Sequence, residues 1–274
     1  MPGMLKQNTG GHWCKMAKIG NYEIIKEIAI DSKGEPVGGM GRIFQAKHIY
    51  LDELACIKQN KAKEFEDVLY NEAKILWRLN EHHSIPTVKD FFPVADSYVM
   101  VMDYIDGPTL DSLIEKNSRM HPEDASWITE RLLSALQYST YKGIVHGDIK
   151  PGNLFIEAKH HDVKLIDWGL ASYKPKSTSK QMGYTPRYVA PEIRDGKSPI
   201  PESDVYGTGM IMLYALGGDV DSKEFRDETP EPIKEFCSRL IRYDPMQRPS
   251  LEKENLAKAL SDIREQVFGR RHMK

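Results

Sequence analysis

The sequence predicts an α+β fold in two unequal parts, a small β-rich one with a single helix and a larger helical one. Three observations carry that prediction. Between residues 22 and 104, short β-branched or alternating runs are separated by turn-forming residues, as strands are. One stretch among them, residues 64–80, instead repeats its apolar residues at helical spacing. Beyond "DGPTL", residues 106–110, the composition turns helical, so the two parts join near residues 103–109.

Taken in order, residues 1–20, with Gly3, Gly10, Gly11 and Gly20, show no period and are expected to be a flexible leader. "YEIIKEIAI" (22–30), "GRIFQAKHI" (41–49) and "LACIKQ" (54–59) read as strands. The helix "EFEDVLYNEAKILWRLN" places Phe65, Val68, Leu69, Glu72, Ile75, Leu76 and Leu79 at helical spacing, with acids in its first turn. Strands follow at "TVKDFF" (87–92) and "YVMVMDY" (98–104). Pro122 suits the first turn of a helix with Ile128, Leu132, Leu133 and Leu136 on one face, ending near Lys142. "NLFI" (153–156) and "VKLI" (163–166) read as strands, and Ile233, Phe236, Cys237, Leu240 and Ile241 mark a late helix. The expected boundaries are 21–266 for one domain, divided into 21–103 and 109–266, followed by a basic tail over 267–274.

Composition narrows the classes. Among 274 residues, 40% are apolar and 28% charged, values of a folded chain. The 38 basic and 40 acidic residues nearly cancel, which argues against a nucleic-acid binder. Cys14, Cys56 and Cys237 form no CxxC pair, so neither a disulfide framework nor a zinc site is expected and a reducing cytoplasm fits. The apolar run "GMIMLYALGG" (209–218) is too short to cross a bilayer, so a soluble chain with no membrane segment is expected. The pairs His82–His83 and His160–His161 are assigned to loops, because adjacent histidines rarely chelate one ion alone.

The chemistry concentrates in "IVHGDIKPGN", residues 144–153, which gathers His146, Asp148, Lys150 and Asn153 on a loop between a helix and a strand. A further acid, Asp167, follows a strand in "LIDWGL". Read singly, Asp167 is a turn residue, His146 a packed histidine, and Lys58 a strand-edge lysine. Read together they supply metal ligands, a cation for phosphates and a carboxylate for a proton, which is what phosphoryl transfer requires. Magnesium takes oxygen ligands, so one carboxylate and one amide oxygen beside a polyphosphate suffice.

The ordered series resembles the eukaryotic-like serine/threonine protein kinases, including those of bacteria, over residues 22–266. The resemblance implies the bilobal protein-kinase fold, ATP and Mg2+ (or Mn2+) as cofactors, and a protein substrate. "ACIK" then makes Lys58 the phosphate-binding lysine and Glu72 its ion-pair partner. "HGDIKPGN" makes Asp148 the base, Lys150 the stabiliser of the transferred group, and Asn153 a metal ligand; "DWG" makes Asp167 the other. "VAPE" with Glu192, "SDVYGTG" with Asp204 and "PMQRPS" with Arg248 match structural anchors, as do His146 and Trp168. Gly38, Gly39, Met40, Gly41 and Ile43 match a phosphate loop whose first half is irregular, with Pro36 in place of a glycine and "IDSKGEP" inserted. Met102 matches the gatekeeper, Asp103 to Ile105 the hinge, and Ile43, Cys56 and Phe155 the apolar sandwich around adenine. Lys150 and Thr185 favour serine or threonine acceptors.

Two alternatives stay open. "HGD" before an asparagine also resembles aminoglycoside- and choline-type kinases, against which stand Lys150, Pro151 and the segment from Asp167 to Glu192. A nucleotide-binding pseudokinase scaffold is the other, although Lys58, Asp148, Asn153 and Asp167 are all present. The interval from Asp204 to Arg248 is short for the family, which leaves docking to a partner or regulatory protein. Gly147 stands where the family usually has an arginine that clamps a phosphorylated segment. Activity is therefore predicted to survive phosphatase treatment; mass spectrometry revealing an essential phosphate between Ser172 and Thr185 would overturn this.

Overall fold

Alternation of side chains across strands decides how the first part is built. The computed structural model describes residues 18–28 and 41–269, which divide into two units. Among the described residues, the first holds 18–28 and 41–73 together with Thr87–Ile105. Its strands are β1 (Lys18–Ile19), β2 (Tyr22–Ile28), β3 (Gly41–His48), β4 (Leu54–Asn60), β5 (Val88–Val94) and β6 (Ser97–Asp103). They form one antiparallel sheet in the order β1-β2-β3-β4-β6-β5. Phe44, Ala46, Ala55, Ile57, Val99 and Val101 share one face and join Ile19 and Tyr22 in an apolar core. The registers Ile43↔Lys58, Lys58↔Met100 and Cys56↔Met102 place those five residues on the opposite face.

Helix α1 (Glu66–Arg78) is entered through a single 3-10 turn, Lys63–Phe65. Glu66 and Asp67 in its first turn and Arg78 in its last complement the helix dipole. Residues 18 and 19, assigned by the sequence to a leader, instead belong to the sheet. Ile19 is buried, and Gly20, at φ +57°, opens the two-residue turn that pairs Ile19 with Tyr22. Residues 29–40 lie outside the described residues, and with them the phosphate-loop positions Gly38, Gly39 and Met40.

The second unit holds Lys74–Pro86 and the chain from Asp106 onward. Its elements are α2 (Leu110–Asn117), α3 (Pro122–Tyr141), β7 (Ile144–Val145), β8 (Leu154–Glu157), β9 (Asp162–Leu165), β10 (Ser172–Tyr173), α4 (Pro191–Arg194), α5 (Pro201–Ala215), α6 (Glu231–Leu240) and α7 (Leu256–Phe268). Thr109 caps α2 through Ser112 N–H, and Pro122 stands in the first turn of α3, where its missing N–H costs nothing. α3 packs on α5 and α7, and α5 on α6. α5 is buried on nearly every side, so it reads as an interior helix rather than an amphipathic one. α7 continues to Phe268, past the expected boundary at 266, and the Phe268 ring lies 5.4 Å from that of His121. Among the described residues, no helix is long and apolar enough to cross a membrane.

One buried ion pair ties the elements after α4 together. Arg248 gives Nη1 to Glu192 Oε1 at 2.7 Å and Nη2 to Glu192 Oε2 at 2.8 Å. Its remaining donors go to the carbonyls of Arg242, Glu202 and Tyr243 at 2.7, 2.9 and 2.9 Å, so all five are engaged. Burial alone would raise the Glu192 pKa, but bonds from Arg248 and Ser203 hold it below the ordinary carboxylate value.

Arg248→Ala leaves Glu192 buried and uncompensated, so a loss of about 3–5 kcal/mol is expected in urea denaturation. Arg248→Lys also loses the fork geometry and is expected to be destabilising. Because the folded pKa of Glu192 is lowered, its contribution is present above the unfolded carboxylate pKa. It is lost as pH falls through the folded value, and the wild-type stability curve should therefore lose more on its acid side than that of Glu192→Gln.

Candidate active site

The loop after β7 is short, and its backbone donors have to be satisfied by buried groups. Asp204, in the first turn of α5, accepts His146 N–H at 2.7 Å and Gly147 N–H at 2.9 Å. Burial pushes its carboxyl up to about 7, while the two backbone donors and their charge-assisted bonds act in the opposite direction. Gly207 lets α5 approach this loop, because a Cβ there would stand 2.8 Å from Ile149 Cβ.

His146 is fully buried and links the loop to Asp167. Its Nδ1 accepts the Asp148 N–H at 3.2 Å, so Nε2 carries the proton and donates to Ile166 O at 3.1 Å. Burial holds this imidazole below its ordinary pKa, which keeps it neutral. Its ring meets the buried Trp168 edge-on at 4.5 Å, and Trp168 Nε1 donates to Leu165 O at 2.9 Å. Asp167 precedes Trp168 in the left-handed region, at φ 62°, a conformation that Asp tolerates better than most residues.

Asp148, Lys150 and Thr185 form a closed triangle. Thr185 Oγ1 donates to Asp148 Oδ1 at 2.8 Å, Lys150 Nζ lies 2.6 Å from Asp148 Oδ2, and Lys150 Nζ donates to Thr185 Oγ1 at 3.2 Å. Asn153 turns its Nδ2 to Asp148 O at 3.0 Å and Asp148 Oδ2 at 3.3 Å, which leaves its amide oxygen facing away from Asp148. An oxygen donor of this kind, with Asp167 beyond the His146 link, is a set suited to a hard divalent cation.

In the first unit, Lys58 Nζ lies 2.6 Å from Glu72 Oε2, and Glu72 is buried. This pair fixes α1 against the sheet face that carries Ile43, Cys56 and Met102. Burial pushes the Cys56 thiol up to about 12, so it acts as an apolar wall rather than a nucleophile. Asp103 donates its N–H to Thr87 O and accepts Thr87 N–H at 2.8 Å through Oδ2, while Lys89 pairs with Oδ1. Its carboxylate and its N–H are therefore both engaged within the first unit. Gly41 opens β3, where a Cβ would fall 3.0 Å from Gln59 O. Phe155 lies on β8 in the second unit, half-buried opposite Lys164. Sequence reasoning missed Gln181, whose amide packs on Gly147; a glutamine in "STSKQMG" carries neither a period nor a motif.

A family model described as "Protein kinase domain" matches residues 36–223. The chain is 31% identical over 235 residues to the serine/threonine-protein kinase PkaA of Streptomyces coelicolor, covering 77% of this chain and 42% of that protein. It is 30% identical over 257 residues to the serine/threonine-protein kinase PrkC of Bacillus subtilis, covering 84% and 38% respectively. A probable serine/threonine-protein kinase PknB of Lactococcus lactis is 27% identical over 254 residues, covering 89% and 39%. The chain thus spans about two fifths of the length of these curated relatives.

Asp204→Ala strands two buried N–H groups beside Asp148, and a loss of about 2–4 kcal/mol is expected in chemical denaturation. Asp204→Asn keeps one oxygen acceptor and should lose roughly half as much.

Proposed function

The chain belongs to the protein kinase domain family, and from that premise we propose that it is a serine/threonine protein kinase acting on protein hydroxyls. The observation that carries this reading is the triangle of Asp148, Lys150 and Thr185. A carboxylate offers about four acceptor sites, and Thr185, Lys150 and Asn153 take three, which leaves one for the proton of an incoming hydroxyl. In the proposed step the hydroxyl oxygen attacks the γ-phosphorus of ATP and its proton passes to Asp148. The bond from that phosphorus to the bridging oxygen breaks, and ADP leaves with the electron pair. Lys150 is held where it can stabilise charge on the transferring group, and Thr185 where it can orient an aliphatic hydroxyl.

Asn153, through its amide oxygen, and Asp167 are the proposed ligands of Mg2+, for which Mn2+ is the chemical substitute. A bound Mg2+ would supply charge neutralisation on the phosphate oxygens. Lys58, oriented by Glu72, is the proposed cation for the nucleotide phosphates, with backbone amides of Gly38 to Gly41 as further donors. Ile43, Cys56 and Met102 are proposed to meet the adenine, with the backbone of Asp103 and Ile105 as its polar partners. We read Gly147 as marking a kinase of the kind that lacks the usual arginine. The short interval between Asp204 and Arg248 supports docking by a partner protein.

Incubation with Mg2+, ATP and a generic basic protein should produce phosphoserine or phosphothreonine, seen as stepwise gains in intact mass. Asp148→Ala is expected to lower kcat on the order of 10³-fold, and Lys58→Met to lower turnover and also stability, because it leaves Glu72 buried without its lysine. ADP release on small aminoglycosides alone would replace this reading with a small-molecule kinase. Bound ATP without turnover on any acceptor would replace it with a scaffold.

A further inference from the structure

Gln181 stands within the segment from Asp167 to Glu192 and reaches back to the loop carrying Asp148. Its Nε2 donates to Leu170 O at 3.2 Å and to Gly147 O at 3.4 Å. A residue near the middle of the segment is thereby tied to the segment's beginning and to the residue just before Asp148. The amide also lies flat against Gly147: a Cβ built there would fall 2.5 Å from Nε2, 2.8 Å from Oε1 and 2.9 Å from Cδ of Gln181. Gly147 has φ +80°, a left-handed conformation that disfavours a side chain independently of the space.

The amide's orientation is determined by its surroundings. Gln181 Oε1 is buried and has no hydrogen-bond partner among the described residues. The flipped amide would be worse, because it would aim this oxygen at two carbonyl oxygens. Keeping an unsatisfied acceptor is costly, and the two N–H donations are what the chain gains by doing so.

We propose that Gln181 is a positioning residue, a neutral latch that holds the segment against the Asp148 loop without a phosphate, and that Gly147 is glycine so that this amide can sit there. The purpose given to the latch rests on the kinase reading; the latch itself rests only on the contacts. Gly147 is then held from both sides, its N–H by Asp204 and its carbonyl by Gln181. Four residues beyond Gln181, Thr185 meets Asp148, so the latch bears on the acceptor side of the triangle. Ser198 Oγ, 2.6 Å from Ser177 O and 2.8 Å from Ser179 O, steadies the turn that leads into Gln181. A donor amide and two carbonyls carry no formal charge, so the tie does not depend on a titration and is insensitive to salt.

The test compares wild type with Gln181→Ala and Gln181→Met, the latter keeping length and packing while deleting both donors. Limited trypsin digestion at Lys176 and Lys180 reads the segment directly, and kinetics with varied ATP and varied protein acceptor read its effect. Both variants are expected to be cut faster and to lose about tenfold in kcat/KM for the acceptor, the size of two neutral hydrogen bonds, with the KM for ATP unchanged. Wild-type behaviour of Gln181→Met in both readouts would overturn the latch, since packing would then suffice. A parallel loss toward ATP and acceptor would also overturn it, as would unchanged cleavage in both variants. If the wild type itself transfers no phosphate, the kinase reading fails, and the trypsin readout alone decides the latch.

Discussion

The site depends on one buried carboxylate. Asp204 projects from the first turn of an interior helix and accepts two consecutive backbone N–H groups of the loop that leads to Asp148. The loop satisfies some of its own donors, Asp148 N–H at His146 Nδ1 and Asn153 N–H at Lys150 O, but those of His146 and Gly147 go to Asp204, and unsatisfied amides away from water are costly. Asp204 thereby holds the backbone at His146 and Gly147, just before Asp148. His146 can then point one ring nitrogen at the Asp148 N–H and the other at Ile166 O, next to Asp167. Two acids that lie nineteen positions apart in the sequence are thus placed through one neutral imidazole.

The first unit solves a different problem with the same economy of parts. Its sheet uses period-two alternation to devote one face to an apolar core and the other to Lys58, Ile43, Cys56 and Met102. A lysine on a sheet face needs a partner to be held in one rotamer, and Glu72 provides it from α1. Elsewhere on the chain, Arg248 and Glu192 show the same logic in a buried setting, where every donor of the guanidinium has an acceptor.

Much of this was legible in the sequence, for a physical reason. Asp148, Lys150 and Asn153 crowd polar side chains into one short stretch and so stand out, whereas Lys58 and Glu72 stand out only through the resemblance, since a strand lysine and a helix glutamate are ordinary taken singly. Helix α6 was legible because Ile233, Phe236, Cys237 and Leu240 repeat at helical spacing. The two-residue strand β1 was not, because two residues cannot display a period; only its pairing across Gly20 defines it. Gln181 was hidden for another reason. Its partners are backbone carbonyls, which every residue has, so no complementary side chain betrays the contact.

The left-handed backbone of Gly147 and the amide packed on it have a consequence for how this chain can change over generations. An arginine at 147 would bear the strain of φ +80°, about 1–2 kcal/mol for most side chains, and would also collide with Gln181. A substitution at 181 alone removes the amide that ties the segment to this loop. Each single step toward a phosphate-clamped arrangement is therefore disfavoured on its own, although the two together relieve the collision. In our reading the pair constrains how the chain can vary: an arginine is not accommodated at position 147 by one mutation while Gln181 keeps its place.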